Sequence, residues 1–426
     1  MTADYTCKRI SVVGLGYIGL PTAAMFASCK VEVVGVDVNQ GTVDTINQGC
    51  VHIVEPELDS VVRAAVENGY LRATTIPEPA DVFLIAVPTP FSGDKREPDL
   101  KYIKEATLAI AKVLKRGNLV VLESTSPVGT TEMMADWLSQ ARPDLSFPQT
   151  HGLASDIRVA HCPERVLPGK IMQELITNDR VIGGMTSKCS AMASALYKLF
   201  VAGECVVASG PRVAEMAKLT ENSFRDVNIA FANELSVISD ELGIDVWELI
   251  TLANRHPRVD ILRPGPGVGG HCIAVDPWFI VSTAPELSRI IATAREINDS
   301  KPKWVADKAL KTINQLRRER AFGSKESVSV ACYGLSFKPD IDDLRQSPAI
   351  DVARYLLGAE ISALMVIEPN IKRLPKALNG AELVSLDFAM ANADVHILLV
   401  GHSQFSGMQF PNSARVIDAV GLLSKE

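Results

Sequence analysis

Short apolar runs alternate along the chain with stretches whose apolar residues recur every three or four positions. Ile10–Val13, Val31–Val36, Val82–Val87 and Leu119–Leu122 are such runs, and their length predicts strands. Leu20–Ala27, just after the first run, has helical spacing. Ile157–Ala160 reads as a further strand. Strands alternating with helices build βαβ units and a parallel, doubly wound sheet. From Pro211 to Leu242 the pattern changes. Val213, Ala217, Phe224, Val227, Phe231, Leu235, Ile238 and Leu242 keep helical spacing up to Gly243, which stops the helix. Asp245 and Glu248 have the spacing of a capping box, so a second helix starts there. A helix as long as the first links domains or packs on a partner.

Sheet-like patterning returns after the charged stretch Arg317–Glu326. Val328–Tyr333, Leu364–Ile367 and Ala393–Val400 are predicted strands. The last echoes Ala80–Val87 almost position by position, and Gly14 to Asp81 (67 residues) compares with Gly334 to Asp394 (60 residues). The expected fold is therefore α/β. Two Rossmann-like, doubly wound parallel-sheet domains, residues 1–205 and 316–426, are joined by a long central helix in an all-α connector, residues 206–315.

Composition narrows the function. The 43 Lys+Arg against 50 Asp+Glu give a net charge of −7, which argues against a nucleic-acid partner, because that needs a basic patch or stripe. With 47% hydrophobic and 22% charged residues the 426-residue chain buries a large core rather than staying disordered. The longest apolar runs fall far short of the roughly 20 residues that span a bilayer, so no membrane partner is expected. Met1–Arg9 is polar and holds no signal-peptide core. Eight thinly spread cysteines form no C-x-x-C pair, which favours a cytoplasmic protein with neither a disulfide scaffold nor a metal site.

Gly14-Leu15-Gly16-Tyr17-Ile18-Gly19 lies between a predicted strand and a predicted helix. The first glycine permits a tight turn, the second lets a pyrophosphate approach the backbone, and the third lets the helix pack on the strand. Phosphates then rest on the helix N-terminus. Asp37 follows Gly19 by 18 residues at the end of the second strand, where a carboxylate binds a ribose diol and repels a 2′-phosphate. The expected cofactor is NAD rather than NADP. Four glycines between Pro264 and Gly270 lead to His271 and Cys272. So much glycine is costly unless the backbone bends sharply or approaches a ligand. A cysteine after such a loop, at a helix start, would ionise readily and act as a nucleophile; an inert buried cysteine is the competing reading. Asp276 falls one helical turn later.

Lys218 and Asn222 share a face of the long helix, which from spacing alone is a solvated face. Glu164 ends the strand before Arg165, where ligands bind in open α/β folds, or else it is a surface partner of Arg165. Phe337-Lys338 and Arg345 follow the second domain's first strand, in the place of a phosphate-binding turn. His256, His271, His396 and His402 have no metal-ligand spacing. A thiolate beside NAD suits the oxidation of a primary alcohol through an aldehyde and a thioester to a carboxylate.

These segments, with Val87–Pro90, Ser124–Pro127, Cys162–Glu164, Gly269–Cys272 and Gly334–Ser347, resemble the nucleotide-sugar 6-dehydrogenases from Gly14 to Gln404. The resemblance implies C6 oxidation of a UDP-sugar with two NAD, and a homodimer formed on the central helix. Asn254–Arg258 and Pro277–Ile280 resemble the branch that acts on UDP-N-acetyl-D-mannosamine, in bacterial surface polysaccharide synthesis. Val275, where the UDP-glucose branch has lysine, and the short Arg258–Arg263, where the UDP-N-acetylglucosamine branch is longer, point the same way. Those two sugars are the alternative substrates, and a non-catalytic NAD-binding regulator is the alternative of another class.

By resemblance Cys272 is the nucleophile, Lys218 and Asn222 stabilise the oxyanion, Asp276 orders water beside the thiol, and Glu164 and Thr125 position water for thioester hydrolysis. Gly14, Gly16, Tyr17, Ile18, Gly19, Asp37, Thr89 and Arg345 would hold NAD. Arg165, Arg258, Arg263, Phe337 and Lys338 would hold the UDP-sugar, with Arg258 lent across the dimer. Gly41 and Thr42 stand where many relatives carry an arginine beside the ribose aspartate.

Overall fold

The computed structural model describes residues 7–92, 96–320, 328–411 and 414–423. The chain divides into two units, Met1–Glu221 with Trp278–Thr283, and Asn222–Pro277 with Ala284–Glu426.

Among the described residues the first unit holds an eight-stranded sheet. Its strands are β1 (Arg9–Val13), β2 (Glu32–Val36), β3 (Leu71–Thr74), β4 (Val82–Ile85), β5 (Leu119–Leu122), β6 (Arg158–His161), β7 (Arg180–Gly184) and β8 (Cys205–Val207), in the order β8-β7-β6-β5-β4-β1-β2-β3. All neighbours are parallel except β6 and β7. The strands are apolar on both faces because both are covered. Ile10, Val12, Val33, Leu84 and Val121 enter one core, and Val13, Val36, Phe83, Ile85 and Val120 the other. Helix α1 (Gly19–Ser28) starts at the glycine turn after β1.

The second unit has its own five-stranded parallel sheet: β9 (Ser329–Tyr333), β10 (Ala363–Ile367), β11 (Glu382–Leu383), β12 (Val395–Leu398) and β13 (Arg415–Asp418), ordered β11-β10-β9-β12-β13. It too has a core on each face, with Val330, Cys332 and Ile397 in one and Ala331, Tyr333 and Leu398 in the other. The sequence echo is structural. Gly14 and Gly334 have φ of 92° and 91°, and their N–H groups donate to the carbonyls of Val36 (2.8 Å) and Ile367 (2.7 Å). The Asp81 carboxylate accepts from the N–H groups that open β1, and Asp394 accepts from that of Ser329 in β9.

The long helix α2 spans Pro211–Leu242, as the spacing predicts. Helix α3 (Val246–Ala253) is capped by the Asp245 carboxylate, which accepts from the N–H groups of Trp247 and Glu248. A second 32-residue helix, α5 (Arg289–Arg320), follows the shorter α4 (Asp276–Thr283), and the pattern did not announce it. Pro302 sits inside α5, and a proline there argues against a helix. Burial of Ala294, Pro302, Val305, Ala309, Ile313 and Leu316 outweighs that cost. Arg317, Arg318 and Arg320 form its last turn, where cations suit the helix dipole. The rest of the charged stretch lies outside the described residues.

Candidate functional site

In the first unit the turn after β1 has the stereochemistry of a dinucleotide cradle. A Cβ on Gly14 would lie 2.5 Å from the Ala86 carbonyl oxygen, and one on Gly19 would overlap the Gly14 carbonyl. A Cβ on Gly16 would meet nothing within 4 Å, so that glycine faces the open space a pyrophosphate needs. Ile18 precedes the first turn of α1, and the half-buried Tyr17 packs on the core beneath it. Asp37 accepts from Leu15 N (3.0 Å) and Asn39 N (2.9 Å), so it ties the end of β2 to the glycine turn. Thr89, just past β4, holds a buried hydroxyl with no hydrogen-bond partner. An orphan hydroxyl beside a cradle of this shape fits a polar ligand atom. The shape of this turn fits a dinucleotide.

The adjacent ends of β5 and β6 carry a second group of side chains. Ser124 donates to the Val87 carbonyl (2.7 Å) and so fixes the segment that bears the half-buried Thr125. Glu164 is buried, takes Arg180 Nη1 at 2.5 Å on one oxygen, and accepts Arg165 N at 2.7 Å on the other. Glu123 accepts from the Tyr197 hydroxyl at 2.6 Å. Burial, with the Glu164 charge beside it, pushes the Glu123 carboxyl up to about 7. A buried carboxylate pair thus sits around one arginine, and its Glu123 member gains or loses a proton near neutrality. The sequence reading missed Glu123, Arg180 and Tyr197, because nothing in their local spacing sets them apart. Arg165 turns to Glu221, with Nη2 2.8 Å from its carboxylate, rather than pairing with Glu164. Lys218 on α2 is 9% exposed.

In the second unit the glycine-rich segment is a close-packed support for Cys272. A Cβ on Gly269 would lie 2.6 Å from the Gln346 carbonyl and 2.7 Å from Phe337 Cβ, and one on Gly270 would lie 2.9 Å from the Phe337 ring. Gly270 N donates to the Arg345 carbonyl (3.2 Å). The glycines are needed to lay this loop against the turn after β9. Phe337 therefore serves as the wall on which the loop rests. Cys272 is exposed. It does not open a helix: α4 begins at Asp276, and Cys272 stands in the preceding turn, where its carbonyl accepts from Asp276 N (2.8 Å). Asp276 is buried and accepts from Asn222 Nδ2 at 2.5 Å.

Three of the expected substrate and cofactor ligands lie on exposed segments. Arg258 is exposed in the loop after α3, Arg263 lies over the Trp247 ring (5.9 Å), and Arg345 chelates Asp343, with Nη2 at 2.6 Å from the carboxylate. Lys338 is half-buried beside Ser336, whose hydroxyl donates to its carbonyl (2.7 Å). Where Asp37 stands in the first unit, the second has Glu368. Its carboxylate is occupied by Leu335 N (2.7 Å), Ser336 N (3.0 Å) and His402 Nε2 (3.0 Å). Burial alone would raise this carboxyl; the hydrogen bonds, that from His402 foremost, outweigh it and hold the group low. Among the described residues no group of three or more His, Cys, Asp or Glu could hold a metal ion, and no helix is long and apolar enough to cross a membrane.

Comparison with known proteins gives concordant matches. Residues 8–201, 212–300 and 331–425 match the NAD binding, central and UDP binding domains of the UDP-glucose/GDP-mannose dehydrogenase family. A UDP-N-acetyl-D-mannosamine dehydrogenase of Yersinia pestis is 63% identical over 94% of this chain and 95% of its own. An NDP-N-acetyl-D-galactosaminuronic acid dehydrogenase of Ralstonia nicotianae is 62% identical over 99% of this chain and 97% of its own. The solved UDP-D-ManNAc dehydrogenase of Pyrococcus horikoshii superposes with a TM-score of 0.87 at 38% identity, covering 98% of this chain and 96% of that one.

Proposed function

The chain belongs to the UDP-glucose/GDP-mannose dehydrogenase family, an NAD-dependent UDP-sugar dehydrogenase by its domains, and we propose that it oxidises C6 of UDP-N-acetyl-D-mannosamine to the carboxylate. The relative from Yersinia pestis carries the substrate assignment, at 63% identity over nearly its whole length. The relative from Ralstonia nicotianae, at 62%, favours a second reading, the galacto epimer. The product would serve bacterial surface polysaccharide synthesis in the cytoplasm. Residues 1–205 bind NAD in this reading, 206–315 dimerise, and 316–426 take the UDP-sugar.

NAD, when bound, supplies the acceptor for the two hydrides that a four-electron oxidation releases. The chain supplies the rest. The Cys272 thiolate adds to the C6 aldehyde and forms a C–S bond. Lys218 and Asn222 donate to the oxygen that gains negative charge. Loss of the second hydride and of the hydroxyl proton leaves a thioester on Cys272. Water placed by Glu164, Thr125 and Asp276 then adds to the carbonyl, the C–S bond breaks, and the carboxylate and thiol are released. Gly14, Gly16, Tyr17, Ile18, Gly19, Asp37, Thr89 and Arg345 hold the cofactor. Arg165, Arg258, Arg263, Phe337 and Lys338 serve the UDP-sugar. The exposed thiol on a glycine-built loop, with Asp276 one turn away and bonded to Asn222, is what the geometry contributes to this reading.

Parallel NADH assays with UDP-N-acetylmannosamine, UDP-N-acetylgalactosamine, UDP-N-acetylglucosamine and UDP-glucose test the substrate. The first is expected to give the highest kcat/KM, with two NADH per sugar. Preference for any of the other three refutes the assignment.

The homodimer rests on α2. Phe224 (68% exposed), Phe231 (50%) and Ile238 (46%) recur every seven residues and so form one apolar stripe facing solvent. A stripe of this kind is the seam of a helix pair. Phe231→Glu is expected to convert a dimer to monomers in sedimentation velocity; a variant that stays dimeric places the interface elsewhere, and a wild-type monomer refutes the homodimer.

A further inference from the structure

Helix α2 holds the Cys272 loop at both ends. Asn222 donates to the Asp276 carboxylate, and Asn233, eleven residues or three turns further on, accepts from Gly265 N at 2.9 Å. Asn233 is fully buried and belongs to a longer chain of polar groups. Its Nδ2 donates to Asn298 Oδ1 (2.8 Å), Asn298 Nδ2 donates to Asp226 Oδ1 (2.8 Å), and Arg295 Nη1 donates to that same oxygen (2.6 Å). Arg295 also pairs with Asp299. Asp226, Arg295 and Asn298 are at most 1% exposed.

The direction of this chain is forced. Arg295 can only donate, so the Asp226 oxygen that meets it accepts; burial raises this carboxyl, and the Arg295 charge opposes that rise. Asn298 must therefore turn its NH₂ to Asp226, which leaves its carbonyl for Asn233. Asn233 must then spend its NH₂ on Asn298, and its carbonyl is left to receive the Gly265 N–H. Each amide has one orientation because the carboxylate has one role. Nothing in this argument needs the ion pair for stability, since a buried pair roughly offsets its own desolvation. The Asp226 Oδ2 and Arg295 Nε atoms are buried without a hydrogen-bond partner, which makes the arrangement costly as mere packing. Its output is a fixed backbone N–H at the entrance of the glycine loop, where Gly267 has no room for a side chain between Pro348 and the Asn298 carbonyl.

We infer that Asp226, Arg295, Asn298 and Asn233 form a positioning relay that sets the Gly265–Cys272 loop, with Asn233 as the positioning residue that touches it. The inference rests on the reading of Cys272 as the nucleophile. None of the four residues is placed against substrate or cofactor; they act through the loop.

The test compares Asn233→Ala, Asn298→Ala and the double variant in the full-length protein, with Asn233→Ser as a polar substitute should the alanine variant not fold. Three quantities are read: kcat and KM for the UDP-sugar, the Kd for NAD, and the rate of Cys272 alkylation by iodoacetamide without substrate. A displaced loop is expected to lower kcat about 10- to 100-fold, since a misplacement of ~1 Å costs on that order. The NAD Kd should stay within about twofold, and alkylation should change at least several-fold. Because the two asparagines act in series, the double variant should lose no more than the worse single one. Folded variants with wild-type kcat and alkylation overturn the relay, and so do losses that multiply in the double variant. Alkylation is read without turnover, so retained activity in Cys272→Ala would refute the thioester reading and leave the positioning result to stand or fall by itself.

Discussion

Cys272→Ala is expected to abolish uronate formation, a loss of at least ~10³-fold in kcat, while the Kd for the UDP-sugar stays within a few-fold. The asymmetry follows from where the residue sits. Cys272 is exposed in the turn before α4, so its sulfur is not part of a core whose loss would leave a cavity. The turn itself is held by backbone: the Cys272 carbonyl accepts from Val275 N (3.0 Å) and Asp276 N (2.8 Å), and alanine keeps both bonds. What alanine removes is the atom that captures the aldehyde. A hydrated aldehyde could still form, but no acyl group would be held for hydrolysis, and the ratio of two NADH per sugar would fall. Product analysis by mass spectrometry checks this. Full uronate yield from the alanine variant, or no covalent sugar on Cys272 in wild-type enzyme quenched during turnover, sinks the thioester scheme.

How much of this was legible depends on how local each signal is. The cradle was readable because Gly14, Gly16 and Gly19 do their work within one turn, and each obeys its expected role: a positive φ, an open approach, and a close contact. Asp37 was readable because strand length fixes its distance from that turn. The duplication was readable because the aspartates that open β4 and β12 both have to satisfy the first N–H of a neighbouring strand. Helix α5 was not, since Pro302 and a run of cations masked an apolar stripe that only burial explains. The groups around Glu164 and Asn233 were least accessible. Tyr197 meets Glu123 from 74 residues away, and Asn298 meets Asn233 from 65. No window along the chain contains both partners of either pair.

Lys218→Met is expected to lower kcat by ~10²–10³-fold, the usual cost of losing one oxyanion donor, with a much smaller change in KM. The same substitution is expected to leave stability unchanged or raise it, and that opposite sign is the informative part. Two buried arginines have carboxylate partners: Arg180 is held by Glu164 and Arg295 by Asp226. Lys218 is 9% exposed, yet among the described residues its ammonium has no ion pair and no hydrogen bond. A cation on a largely buried side chain with no counter-charge gains nothing from ion pairing and carries part of its desolvation cost. Methionine has nearly the same length and no charge, so it relieves that cost and preserves the packing of the stem. Retaining an unpaired lysine makes physical sense where a negative charge appears transiently during the reaction, because its interaction then strengthens only as that charge develops. Urea midpoints and steady-state kinetics on one preparation decide between the readings. A variant with a lower midpoint and an intact kcat would make Lys218 a structural residue whose partner forms outside the reaction, and the assignment of an oxyanion donor on α2 would have to move to Asn222 alone.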